Sequence, residues 1–95
     1  MEISSINGFI VIRVDKDDTH YFQILEILSI NNITSHLKPG DVVIGVNDID
    51  VNSSTSDTEI NDLINRDNIF IRVINYNSYI QRNKRLKEKE NVIIK

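Results

Sequence analysis

The chain has 95 residues, 40% of them apolar and 26% charged, with a net charge of −3 and no cysteine. That balance belongs to a single small globular domain and excludes a disordered tail, while the lack of Cys removes disulfides, thiolate metal sites and a Cys nucleophile. A domain of this size buries only about 60–70% of the surface its unfolded chain exposes, which places function on the surface rather than in an enclosed cavity.

No apolar run approaches the ~20 residues of a membrane helix, and the opening "MEISSINGF" lacks the basic start and long apolar stretch of a secretory signal. The expectation is a soluble, cytoplasmic protein without membrane insertion. Charge is unevenly spread. Through Tyr76 five basic residues face twelve acidic ones, whereas from Asn77 onward six basic residues face only Glu88 and Glu90. An acidic body is a poor polyanion binder, so nucleic acid is not an expected partner.

The strand signals are β-branched runs bounded by turn residues. A short strand is expected in "MEISSI", a strong one from Gly8 to Val14, and another from Tyr21 to Leu28. Between the last two, "DKDDTH" reads as a charged hairpin loop. Its spacing resembles the acidic start of a calcium loop, but the Gly and terminal Glu that such a loop needs are missing. Residues 29–37, "SINNITSHL", suit one or two helical turns that "KPG" then ends.

A fourth strand follows in "DVVIGVND", with "IDV" at 49–51 as a short extra one. The stretch "STSDTEINDLIN" reads as a helix: Ser56 and Glu59 have capping-box spacing, and Ile60, Leu63 and Ile64 fall on one face. "NIFIRVINY" supplies a last strand. Mainly antiparallel strands with two segregated helices give an α+β fold.

An enzymatic reading finds no support. His20 and His36 have no Ser nucleophile and orienting carboxylate at a diagnostic spacing, and there is no phosphate-binding Gly-rich loop or set of zinc ligands. No cofactor or metal is expected.

The run "LKPGDVVIGVNDIDV", Leu37 to Val51, resembles the signature of PDZ domains, in which a short helix ends in Leu and a Gly-Asp turn opens an apolar strand. Pro39 and Gly40 would make the turn, Asp41 would bond turn amides, and Asp48 stands where the family usually has Gly. Order and spacing extend the likeness through residue 76. The resemblance implies a partly open antiparallel β-sandwich or barrel of five to six strands with two helices over residues 1–76.

It also implies a protein–protein interaction module binding a partner's C-terminal peptide by strand addition to the second strand, beside the second helix. The family's carboxylate-binding loop, Gly-apolar-Gly-Phe, corresponds here to Ile6-Asn7-Gly8-Phe9, which makes the amides of Asn7, Gly8 and Phe9 the candidate carboxylate cradle. Ile10, Val11 and Ile12 continue the ligand strand, and Asp57, Ile60, Asn61 and Ile64 lie on the helix beside it. For Ile60 and Ile64 the alternative is ordinary core. Asp57 takes the place of a family His that contacts the ligand; its alternative role is to stabilise the helix N-terminus. Ile6 in place of the first Gly, and Asn7 in an apolar position, depart from the pattern.

Residues 77–95 form a charged extension, with helix formers from Tyr79 to Glu90 and strand-like Val92 to Ile94. Alternatives to the adaptor reading are a PDZ-like assembly module, with a homo-oligomer formed through a sheet edge or the tail, and a regulatory domain of a larger protease or other enzyme.

Overall fold

Turn chemistry sets the course of the chain, which a computed structural model describes over residues 1–84. Strand β2 (Phe9–Lys16) returns as β3 (Thr19–Ile27) through Asp17 and Asp18, both at positive φ (52° and 63°), the two-residue turn whose twist matches the flanking strands. Strand β1 (Glu2–Ser5) enters β2 through a three-residue loop. Gly8 closes that loop at φ 95°, a region that glycine enters without Cβ strain, and its N–H donates to Ser5 O at 3.2 Å.

Before β4 (Val42–Val46), Pro39 and Gly40 (φ 96°) form the tight turn, closed by Asp41 N donating to Lys38 O at 3.1 Å. Asp41 Oδ2 accepts from Lys38 N at 3.1 Å, the turn bond expected of this residue. Asn47, at φ 54°, turns β4 into β5 (Ile49–Asp50). Helix α1 (Asp57–Ile64) starts at the capping box of Ser56 and Glu59 and is followed by β6 (Ile71–Ile74). Residues 76–84 are helical, α2, with Asn75 Oδ1 accepting from Ser78 N at 2.8 Å.

The six strands form one antiparallel sheet in the order β1-β2-β3-β4-β5, with β6 on the other side of β4. Over the described residues the domain is therefore a small α+β fold with a six-stranded sheet and two helices. Phe9, Val11, Phe22, Ile60, Ile64 and Ile71 are wholly buried in one core. Each such side chain contributes about 1.5–3 kcal/mol of transfer free energy, so the apolar stripe of α1 anchors the helix to the sheet. On the opposite face of the sheet Tyr21 meets Tyr76 and Tyr79, which packs α2 against β3.

One expectation is corrected in detail. Residues 29–37 make turns rather than a regular helix: Ser35 N donates to Asn31 O, but Thr34 Oγ1 donates to Ser29 O and Asn31 Oδ1 accepts from Ile33 N and Thr34 N. Such side-chain bonds compete with a helical ladder. The second helix is α2, whose first turn packs on Tyr21. The expected strand at Val92 to Ile94 lies outside the described residues.

No described helix is long and apolar enough to cross a membrane.

Candidate functional site

Strand β2 has no free edge along its first half. One side pairs with β3, and the other carries β1 in antiparallel register from Glu2↔Ile12 to Ser5↔Phe9. The far side of β1 meets the C-terminal end of α1: Asn65 Nδ2 donates to Ser4 O at 3.3 Å, and Ser5 Oγ donates to Ile64 O at 2.6 Å. The strand thus fills the slot between the edge of β2 and the helix. Its alternation explains the seating, because Ile3 and Ser5 are buried while Glu2 and Ser4 are exposed.

The Ser5 end of the slot is lined by oxygen atoms. Ile64 O accepts from Ser5 Oγ and, at 2.9 Å, from Asn7 Nδ2; Arg66 O accepts from Asn7 Nδ2 at 3.0 Å. Asn65 Oδ1 accepts from Ile6 N at 2.7 Å. These carbonyls belong to a helix end, where backbone acceptors lack partners and the dipole is negative. No basic residue stands in the last turn of α1, and Arg66 is paired with Asp62. The β1–β2 loop supplies the missing donors and so acts as a C-terminal cap for α1.

At the other end Arg13 ties the sheet to the helix start. Its Nη1 lies 3.2 Å from Asp57 Oδ1, and its Nε lies 2.9 Å from Asp15 Oδ1. The Asp15 hydrogen bond, with Asp57 adding to it, holds the guanidinium pKa above its usual value. Asp57 also sits in the first turn of α1, where a negative charge complements the dipole.

The sequence-derived site residues are distributed as follows. Asn7 and Gly8 form the hairpin loop, and their amides are engaged within it, by Ser5 Oγ (3.1 Å) and Ser5 O (3.2 Å) respectively. Phe9, Val11, Ile60 and Ile64 come together but are core, with no exposed surface. Ile10 and Ile12 are half-buried on the other face of the sheet. Asn61 is exposed, and its O and Oδ1 accept from Asn65 Nδ2 at 2.8 and 3.2 Å.

Sequence reading missed Ile3, Ser5 and Asn65, which build the slot and its occupant. The "Asn-Gly" pair at 7–8 was the available signal, since it marks a hairpin as readily as it matches a carboxylate loop.

Elsewhere, an open depression of about 390 Å³ surrounds the β2–β3 turn, lined by charged residues from Arg13 to Asp18 together with His20. Among the described residues no group of His, Cys, Asp or Glu is placed to hold a metal ion. His20 Nε2 lies 2.6 Å from Thr55 O, and His36 Nε2 lies 2.7 Å from Ile71 O, with the His36 ring stacked on Phe70. Compared with family models, curated proteins and solved structures, the chain matches none of them.

Proposed function

We propose that the chain is a PDZ-like protein-interaction module that works by strand addition, with its ligand slot filled in cis by β1. One observation carries this reading: β1 lies antiparallel on the edge of β2, beside α1, where the resemblance puts a partner peptide. A partner strand then binds by taking the place of β1, and the free edge of β2 exists only in the fraction of molecules whose β1 has left. Apparent affinity falls in proportion to that fraction.

The Gly-Asp turn, the Asn47 turn and the capped α1 with its buried stripe support the same reading, since each sits where the resemblance expects it.

A titration of the full chain and its Ile3→Ala variant tests it, using a peptide that copies residues 1–7 and is capped at both ends. Ile3 is the buried anchor of β1, so its loss weakens the cis competitor. The variant should bind at least about tenfold tighter than the parent, with amide shifts centred on Phe9 to Arg13. Equal binding by the two chains, or shifts centred elsewhere, would reject strand replacement. A mass that doubles with concentration in place of peptide binding would make a second copy's β1 the occupant of the same slot, which is the assembly form of the proposal.

A further inference from the structure

The chemistry of the slot also says what kind of strand it takes. Resting on the strand-replacement reading, we infer that the slot selects an internal segment of a partner, apolar where Ile3 sits and bearing a hydroxyl where Ser5 sits, and rejects a free C-terminus. Asn65 is the residue that makes this distinction.

The inference follows from what β1 presents at each position. Ile3 enters the core and is 5% exposed; Ser5, two residues on, is 6% exposed and directs its hydroxyl to Ile64 O. Glu2 and Ser4 face solvent and impose nothing. Beyond Ser5 the next group required is an N–H donor, because Ile6 N donates to Asn65 Oδ1 at 2.7 Å.

A strand that ended at the Ser5 position would put a carboxylate oxygen where that N–H lies. The oxygen would face Asn65 Oδ1 at the negative end of α1, with Ile64 O and Arg66 O close by.

Rotating the Asn65 amide does not remove the conflict. Its Nδ2 donates within its own helix to Asn61 O and Asn61 Oδ1, at 2.8 and 3.2 Å, and at 3.3 Å to Ser4 O, a β1 carbonyl whose place a replacing strand's own carbonyl takes. A flipped Oδ1 would meet those carbonyls instead. Asn65 is therefore locked by its own helix with the acceptor facing the slot. The acidic balance of the chain through Tyr76 acts in the same direction, and the Asn65 variant described next separates the two effects.

The test uses the full chain carrying Ile3→Ala and two peptides that copy residues 1–5, identical except that one ends in an amide and the other in a carboxylate. An amide end offers the N–H that Asn65 Oδ1 requires. The amidated peptide should bind about three- to tenfold tighter, the range expected for one net hydrogen bond at this solvent-exposed contact. Adding Asn65→Ala should make the two affinities equal to within about 1.5-fold.

A carboxylate peptide that binds equally or more tightly would overturn the choice of ligand class while leaving strand addition standing. Unchanged discrimination in the Asn65→Ala chain would overturn the role of Asn65. If neither peptide moved the amides of Phe9 to Arg13, and the longer peptide copying residues 1–7 also failed, strand replacement itself would fall.

Discussion

Ile64 O is the point at which the β1–β2 loop grips α1, and removing its donors one at a time predicts a specific failure of additivity. Ser5→Ala deletes the 2.6 Å bond to Ile64 O and the acceptor for Asn7 N, but leaves Asn7 Nδ2 on the same carbonyl. Asn7→Ala deletes the bonds to Ile64 O and Arg66 O, but leaves Ser5 Oγ in place. Each single change removes two hydrogen bonds and should cost about 1–3 kcal/mol, at about 0.5–1.5 kcal/mol net for each bond.

The double variant differs in kind, because the carbonyl of a wholly buried residue then has no donor, and stranding such a group costs about 1–3 kcal/mol. The pair should therefore lose about 3 kcal/mol or more, at least about 1 kcal/mol beyond the sum of the singles. Urea unfolding of the four chains, read by circular dichroism, gives the cycle. Additivity to within about 0.3 kcal/mol would mean that the two donors do not share one acceptor, and would refute the capping role of the loop.

Two further outcomes follow from single positions. Gly8→Ala should lower stability by about 1–2 kcal/mol for the left-handed backbone alone, and by more until the Ser29 hydroxyl moves away from the new Cβ; Ser29→Ala in that background should recover only the steric part, and an unfolding midpoint unchanged by Gly8→Ala would contradict the loop geometry. Burial, reinforced by Tyr76 and Tyr79, raises the pKa of Tyr21. Because its folded pKa lies above its unfolded one, the associated stability is complete below the unfolded value near 10 and is lost as pH rises through the folded one. A tyrosinate absorbance titration of the folded chain should show one late phase that Tyr21→Phe removes; persistence of that phase would assign it elsewhere.

The parts legible in the sequence are those governed by local chemistry. Asp17-Asp18, Pro39-Gly40 and the Ser56/Glu59 box each act within a few residues of themselves, so their turns and cap were readable without knowing the fold. The stripe of Ile60, Leu63 and Ile64 was equally readable as an apolar face, although its periodicity does not tell core from groove.

The destination of β1 was not legible. "EISS" offers a single apolar residue to the core, and nothing local to it says that its outer edge will meet a helix end some sixty residues later, a pairing made by Ser5 with Ile64 (|i−j| = 59) and by Asn65 with Ser4 (|i−j| = 61). Residues 31–34 were misjudged for a related reason. Their side chains satisfy backbone groups that a helix would have paired, and composition alone does not show which competitor wins.

The central claim is that β1 leaves its slot independently of the rest of the fold, and native-state hydrogen exchange tests this on neighbouring amides of one strand. Arg13 N donates to Met1 O at 3.1 Å, so by the alternation of an antiparallel ladder Val11 N also faces β1 while Ile12 N faces β3. Val11 and Arg13 should exchange through an opening at least about 1–2 kcal/mol easier than the one that exposes Ile12, and Ile3→Ala should widen the gap. A single opening energy for all three amides, lowered equally in the Ile3→Ala chain, would mean that β1 departs only when the whole domain unfolds, and would contradict the account.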